Sequence, residues 1–243
     1  MSALTIIYER THFVRDSRNR TGTMAEPRTP AAKKKAAPRT PGRRARNKEA
    51  TRESIVTAAL QLFESKGFEA TTTREIATRA GVAEGTVFNY FETKDDIALH
   101  FFETEVDHAI AAVRADESLR DAKLEEKLFA LIHSQIDFLA PYEGFIGAAF
   151  VRALRPSSKL ALSPRALELR ARYLDFVQDL IEESLPKRRA RELSWIAPQA
   201  FWIFYLGVLL YWLHDASAGK QNTLAFLDRS LRFGTTFLRE GGL

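Results

Sequence analysis

The sequence predicts an all-α protein with two domains, a three-helix N-terminal domain and a larger helical C-terminal domain. Apolar residues recur at helical spacing along most of the chain. From Asp121 onward no strand pattern appears, and proline and glycine divide the chain into pieces of helix length. Near the N-terminus, two short helical segments meet at Gly81, which predicts a helix-turn-helix.

Composition limits the kind of protein that this chain can form. It has 243 residues, 45% of them apolar, and no cysteine, which excludes disulfides, thiol nucleophiles and Cys-ligated zinc. The longest apolar run, residues 201–213, is shorter than the about 20 residues that cross a membrane. We therefore expect a cytoplasmic protein with no membrane partner, no metal and no cofactor.

Residues 1–47 are predicted to be a basic arm without a core of its own. Alanine, proline, lysine and arginine dominate from Met24, a candidate start of the native protein, and such a composition favours disorder in the free chain. Residues 48–100, the predicted three-helix domain that follows the arm, carry more acidic than basic side chains. Arg43, Arg44 and Arg46 precede the first predicted helix, where they could enter a DNA minor groove. The alternative is a solvated tail.

The first two helices of the N-terminal domain have clear boundaries. Residues 51–66 form an amphipathic segment that ends at Gly67. Thr72 is placed to cap the next helix, and Glu75 follows at capping-box spacing. Gly81 stands after that helix, where a left-handed backbone is needed. Together these signals predict helices over 51–66 and 72–80.

A third helix is expected to begin near Ala83 and to present a polar face. Val87 and Phe91 repeat at i and i+4 and can face the core together. Thr86, Asn89 and Tyr90 then point the other way. A helix-turn-helix places such a surface in the major groove of DNA. The alternative is an ordinary helical hairpin, because such turns are common in helical proteins.

The run TTTREIATRAGVAEGTVFNYFETKDDI resembles the DNA-binding domain of the TetR family of bacterial repressors. The shared features are the Thr-rich start, the Ile-Ala pair, the Gly-Val turn, Gly-Thr, Tyr-Phe and the following lysine. The resemblance covers residues 51–101 and implies that residues 83–86 approach base edges, while the lysine holds a phosphate. The candidate DNA-contacting residues are Thr73, Ala83, Glu84, Gly85, Thr86, Phe88, Asn89, Tyr90 and Lys94, with Arg43, Arg44 and Arg46 of the arm.

Two positions depart from the family pattern. Ala83 stands where relatives often have a serine cap, and a missing cap costs roughly 1 kcal/mol. Glu84 stands where relatives often have lysine. A carboxylate suits the positive helix N-terminus and can accept a hydrogen bond from a cytosine amino group, but it cannot bind phosphate. The operator sequence is therefore left open by these residues.

A helix over residues 94–115 is expected to join the two domains. Thr93 can cap it, and Asp95 and Asp96 suit its first turn. His100, Glu103 and Asp107 share one face and have the residue types of a metal site, but a solvated face is the ordinary interpretation of such a trio.

Residues 101–243 are predicted to be a helical ligand-binding and dimerisation domain. Its expected helices cover 123–140, 145–154, 163–185, 187–214 with Pro198 inside, and 222–238. Residues 195–213 are apolar on nearly all sides and must be buried on several. Core and dimer interface would account for most of them. The family resemblance adds an expectation of pairing through the last two helices.

Aromatic residues in this domain could line an apolar cavity for a small molecule. The candidate residues are Phe138, Phe145, Phe150, Tyr173, Phe176, Trp202, Tyr205 and Trp212. His133 and His214 could hydrogen-bond a ligand, although core histidines are more common. The resemblance implies that relatives hold an inducer in these helices.

We therefore expect a homodimeric, ligand-responsive DNA-binding regulator, a repressor released from a palindromic operator by a hydrophobic small molecule. Ligand binding would change the spacing of the two recognition helices. The alternative is an enzyme acting on a hydrophobic substrate in the C-terminal helices, but no nucleophile and base pair, phosphate loop or HExxH spacing is present. A helical interaction module without DNA binding would leave the polar face and the basic arm unexplained.

Overall fold

Helix boundaries in this chain follow caps, glycines and prolines. A computed structural model describes residues 42–240, which form α-helices, short 3-10 turns and loops, with no strand in that range. The α-helices are α1 Arg43–Lys66, α2 Thr73–Ala80, α3 Glu84–Tyr90, α4 Lys94–Ala115, α5 Leu124–Leu139, α6 Glu143–Ala153, α7 Lys159–Leu162, α8 Pro164–Ser184, α9 Lys187–Leu193, α10 Ala197–His214 and α11 Gln221–Glu240. The predicted all-α class is confirmed.

Helix α1 begins earlier than its predicted start at residue 51. It starts at Arg43, so Arg43, Arg44 and Arg46 are exposed helical residues rather than part of an arm before the helix. The segment after Gly42 holds no proline or glycine and is rich in arginine, alanine and glutamate, which favour helix. The rest of the predicted arm, residues 1–41, lies outside the described residues. Within the described range, residues 42–48 belong to one unit and residues 49–240 to another.

The helix-turn-helix is built as its sequence predicts. Thr72 accepts a hydrogen bond from the Glu75 backbone N–H at 3.2 Å, and the Glu75 carboxylate accepts one from the Thr72 N–H at 2.9 Å. Gly81 ends α2 in the left-handed region at φ 69°, a conformation that costs a residue with a Cβ more. These two features fix the length of α2 and the angle at which the chain enters α3.

The C-terminal helices agree with most of the predicted segments. The Ser163 hydroxyl accepts a hydrogen bond from the Ala166 N–H at 3.2 Å and caps α8, with Pro164 at its first position. The segment around Pro198 is not one kinked helix, because α9 and α10 are separate and meet at 66°. The short helix α7 was not predicted.

Helix α4 crosses the predicted domain boundary at residue 100 without a break, so both domains share one core. Rings from both sides meet there, with Phe63 and Phe68 centroids 4.7 Å apart and Phe63 and Phe145 centroids 5.1 Å apart. Phe101 of α4 lies 5.9 Å from Phe145. No single helix among residues 42–240 has the length and apolar character of a membrane span, although α9 and α10 would pass that test if they were not bent.

Candidate nucleic-acid interface and ligand cavity

Helix α3 has a small exposed face, and buried residues on its opposite side fix its orientation. Val87 is completely buried and Phe91 follows it into the core. Phe88, 49% exposed, Gly85 and Asn89 lie on the surface. No atom lies within 4 Å of where a Cβ would stand on Gly85, so another molecule can approach this backbone closely. The two core residues fix the rotation of α3 and therefore which residues face outward.

The remaining candidates on this face are partly buried. Thr86 lies at the edge of the face, and Tyr90 packs against the core, so only part of its side chain is open. Ala83 is exposed and provides no side-chain cap. Glu84 accepts hydrogen bonds from the Thr73 hydroxyl at 3.3 Å and from Arg74 Nε at 3.4 Å. These contacts link the first turns of α2 and α3.

Lys94 contacts backbone carbonyls in this structure, and the phosphate contact that the resemblance implies stays a prediction. Its ammonium donates to the backbone carbonyls of Phe68 at 2.7 Å, Thr71 at 2.8 Å and Glu69 at 3.3 Å. It also lies 4.9 Å from the Phe68 ring centroid. Desolvation lowers the pKa of Lys94. Because all three N–H donors are used internally, this side chain closes the loop between α1 and α2.

A cavity of about 310 Å³ lies between α4, α5, α6, α7, α8 and α10. Four of the predicted ligand-binding residues line it: Phe150, Tyr173, Trp202 and Tyr205. Leu154, Leu162 and Leu167, which also line it, are exposed, whereas Tyr173 and Leu139 are buried. The cavity therefore opens near α7 and closes toward α4 and α5.

Four predicted ligand-binding residues do not line the cavity. Phe145 packs against Phe63, and Phe138 packs 5.5 Å from the Phe101 ring. Phe176 lies under Arg114, with 5.1 Å between the guanidinium carbon and the ring centroid. Trp212 is fully buried away from the cavity. The spacing that identifies an apolar helix face does not separate core positions from cavity walls, which is why these four residues lie outside the cavity lining.

The polar groups of the cavity were missed by the sequence analysis. Glu105 of α4 is 2% exposed and lines the cavity. Tyr173 donates to Gln135 Oε1 at 2.6 Å, and Gln135 Nε2 donates to the Tyr205 hydroxyl at 3.1 Å. Burial raises the pKa of Glu105 to about 8, and a hydrogen bond from Gln135 opposes this rise. A signal was present, because Glu105 follows Phe101 at i+4 on the buried face of α4.

Two members of the candidate metal trio, Glu103 and Asp107, form ion pairs with α8, and the third, His100, lies 3.4 Å from Glu103. Arg165 holds the Glu103 carboxylate at 2.6 Å and 2.5 Å, and Arg172 lies 3.1 Å from Asp107. Within residues 42–240, no cluster of three or more His, Cys, Asp or Glu side chains has the arrangement of a metal site.

Neither histidine that was considered for ligand binding lines the cavity. His133 pairs with Asp137 at 3.2 Å, and His214 Nδ1 lies 2.8 Å from the Leu210 carbonyl oxygen. Both rings have local partners within their own helices. Their positions favour a structural role over ligand binding.

Helix α6 connects the cavity to the helix-turn-helix domain at both of its ends. At its N-terminus, the Glu64 carboxylate of α1 accepts hydrogen bonds from the Gly144 and Phe145 N–H groups at 3.2 Å and 2.9 Å. At its C-terminus, Arg152 binds Asp95 of α4. Phe150, between these ends, lines the cavity. Displacement of α6 by a ligand would therefore act on α1 and α4 together.

Comparisons with known proteins agree with this architecture. Residues 55–101 match the family model described as "Bacterial regulatory proteins, tetR family", and residues 127–243 match "Tetracyclin repressor-like, C-terminal domain". The chain belongs to the TetR family. It is thus a DNA-binding transcriptional regulator of the ligand-responsive kind, as predicted, and not an enzyme.

Individual relatives place this TetR-family chain near regulators named for fatty acid metabolism. It is 29% identical over 140 residues to the fatty acid metabolism regulator protein of Bacillus subtilis, which covers 57% of this chain and 70% of that protein. FadR of Bacillus halodurans superposes with a TM-score of 0.60 at 22% identity over 82% of this chain and 96% of its own. FadR of Bacillus subtilis with stearoyl-CoA gives 0.57 at 23% identity, over 78% of this chain and 98% of its own.

Proposed function

We propose that this chain is a homodimeric repressor that leaves a palindromic operator when a hydrophobic small molecule fills the cavity. The observation that carries the proposal is the position of α6, which lines the cavity and is bonded at both ends to the helix-turn-helix domain. A ligand that fits the cavity better in a different α6 position would shift the dimer toward that state.

DNA reading is assigned to the exposed part of the α3 face. Gly85 and Asn89 reach base edges or phosphates, and Thr86 reads from the edge of the face. Phe88 provides an apolar surface for a thymine methyl group or a sugar. Thr73 and Glu84 are bonded to each other and set the start of α3, so their contribution to DNA binding comes mainly through its position.

Dimerisation is assigned to α10 and α11. Ile203 of α10 is 72% exposed, and Phe233 of α11 is 78% exposed. Leu210, Tyr211 and Phe237 are also exposed on these two helices. Large apolar side chains in such number on adjoining helices mark an interaction surface, and two copies would bury them in a four-helix contact. A two-fold dimer would present two α3 helices to half-sites about 34–36 Å apart or a multiple of that.

The cavity is assigned to the effector because it is large, mostly apolar and open at one end. Its volume of about 310 Å³ is in the range of small-molecule sites. The related FadR structure from Bacillus subtilis holds stearoyl-CoA, which supports an effector with a long apolar part. The apolar walls from α6, α7 and α8 suit such a body.

A DNA-shift titration with the regulator's own upstream region tests the proposal. Thr86→Ala is expected to change the preference among operator variants, while Thr104→Ala, an exposed threonine on α4, serves as the matched control. Native mass spectrometry of the purified protein identifies any effector that copurifies, and adding it back should release the DNA. Equal behaviour of the two variants would contradict the assignment of α3, and tighter DNA binding with effector would contradict repression.

A further inference from the structure

The deep end of the cavity contains a carboxyl group with an unsatisfied oxygen atom. Glu105 is 2% exposed, and its Oε1 has no hydrogen-bond partner. Among residues 42–240, no ion pair includes it. Buried polar atoms almost always have a hydrogen-bond partner, and an unsatisfied one is costly. An unpaired atom on a cavity wall is explained if the cavity's ligand supplies the partner.

Three aromatic rings line the same cavity beside this carboxyl group. The ring centroids of Tyr173 and Tyr205 are 5.5 Å apart, those of Trp202 and Tyr205 are 5.8 Å apart, and those of Tyr173 and Trp202 are 6.3 Å apart. Glu105 is close enough to act electrostatically on both tyrosines, whose pKa values are raised first by burial and then by its charge. Faces of such rings attract cations, most strongly when water is excluded.

We propose that the effector is an apolar cation, a molecule with a hydrocarbon body and an amine or quaternary ammonium group that lies between Glu105 and the rings of Tyr173, Trp202 and Tyr205. This rests on the proposed function, which gives the cavity to an effector. The hydrocarbon body would extend past Phe150 toward the mouth near Leu162, where the walls are apolar.

Other ligand chemistries fit the deep end less well. The end of a hydrocarbon chain would leave Glu105 Oε1 without a partner. A carboxylate or phosphate would gain no ion pair from Glu105 and would oppose its ionisation. Arg170, a cationic side chain on the cavity wall, donates to Gln199 at 2.7 Å and lies over Trp202 at 5.1 Å, and no ion pair joins it to Glu105.

Three probes with the same ten-carbon chain separate these chemistries. Isothermal titration of the full-length protein would compare decyltrimethylammonium, decanol and decanoate below their aggregation concentrations. The cation is expected to bind about tenfold tighter than decanol, and decanoate more weakly than either. Decanol or decanoate binding as tightly as the cation would overturn the proposal, and so would the absence of binding by all three.

Glu105→Gln tests the residue itself, because the amide keeps the size of the side chain and removes its charge. The variant should bind decyltrimethylammonium about tenfold more weakly and decanol within roughly threefold of wild type. Decanol binding also shows that the variant is folded. An unchanged affinity for the cation would overturn the role of Glu105.

The two proposals fail separately. If the protein binds the cation through Glu105 but does not shift its upstream DNA, the cation site is supported and the proposed repressor function is contradicted. If the protein shifts its DNA but binds the three probes equally, DNA binding is supported and the cationic effector is contradicted. Release of the DNA by decyltrimethylammonium in wild type, but not in Glu105→Gln, would support both.

Discussion

Arg152 and Asp95 form a two-point ion pair across the boundary between the ligand-binding and DNA-binding domains. Arg152 Nε lies 2.9 Å from Asp95 Oδ1, and Arg152 Nη2 lies 3.1 Å from Oδ2. Asp95 is buried in the first turn of α4, and Arg152 ends the α6 helix that lines the cavity. The Asp95 hydrogen bond, the leading cause, raises the pKa of Arg152 above its usual range. The pair is a direct mechanical contact between cavity wall and reading domain.

We predict that Arg152 and Asp95 are energetically coupled. Arg152→Met leaves the buried Asp95 carboxylate unpaired, and Asp95→Asn leaves the guanidinium with Glu69, at 2.6 Å, as its remaining carboxylate partner. The double variant should be more stable than the sum of the single losses by about 1–3 kcal/mol, because neither charge is then left alone. Urea unfolding of the four proteins measures this. Arg155→Met is the control, because Arg155 is more exposed and pairs with Glu69 rather than with Asp95. Additive losses from Arg152→Met and Asp95→Asn would contradict the coupling.

Lys94→Met is expected to destabilise the helix-turn-helix domain. The substitution removes hydrogen bonds to three loop carbonyls and a cation close to the Phe68 ring. Since the ammonium is only partly buried, we expect a loss of about 1–2 kcal/mol in unfolding free energy. Thermal unfolding measures it, with the exposed Lys187→Met as control. Unchanged stability combined with weaker DNA binding would instead restore the phosphate role implied by the family resemblance.

Phe233→Glu is expected to convert the dimer to monomers. It places a charge in the middle of the exposed apolar face of α11, where a second copy would have to desolvate it. Sedimentation velocity should show a lower mass, and operator affinity should fall about a hundredfold or more as the second recognition helix is lost. Val151→Glu changes another exposed apolar residue, on α6, and should leave the dimer intact. A dimeric Phe233→Glu protein would exclude this face as the interface.

Local signals were enough to predict the helix-turn-helix. The cap at Thr72, the box at Glu75 and the left-handed Gly81 act within a few residues of each other, so the sequence specifies them directly. The same is true of Ser163 before α8. Such features need no knowledge of which helices become neighbours.

The cavity could be predicted only in part, because its walls come from six helices. Tyr173 and Phe176 have the same apolar character three residues apart, yet the first lines the cavity and the second packs under Arg114. Lys94 shows the same limit, since its carbonyl partners lie more than twenty residues earlier in the chain. Tertiary packing decides which partner each of several similar apolar or basic residues contacts.

The stability of the ligand-free protein should depend on pH through Glu105. The carboxyl is buried among Gln135, Tyr173 and Tyr205, and desolvation raises its pKa to about 8, above the usual value of 4.5 for a free glutamate. Between these two pH values the unfolded chain has lost a proton that the folded chain retains. Unfolding free energy should therefore fall as pH rises, by up to about 1.4 kcal/mol per pH unit, and level off above pH 8.

Glu105→Gln removes this proton and isolates its contribution. The stability of the variant relative to wild type should increase steadily from about pH 5.5 to 7.5. Over this range only the wild-type unfolding free energy falls through Glu105, because only its unfolded chain releases that proton. Urea unfolding at half-unit pH steps measures the difference, and other titrating groups cancel in it. The exposed Glu168→Gln is the matched control and should follow wild type across the range. A flat difference for Glu105→Gln would mean that the Glu105 carboxyl is solvated or paired in solution, which would also remove the reason for a cationic partner.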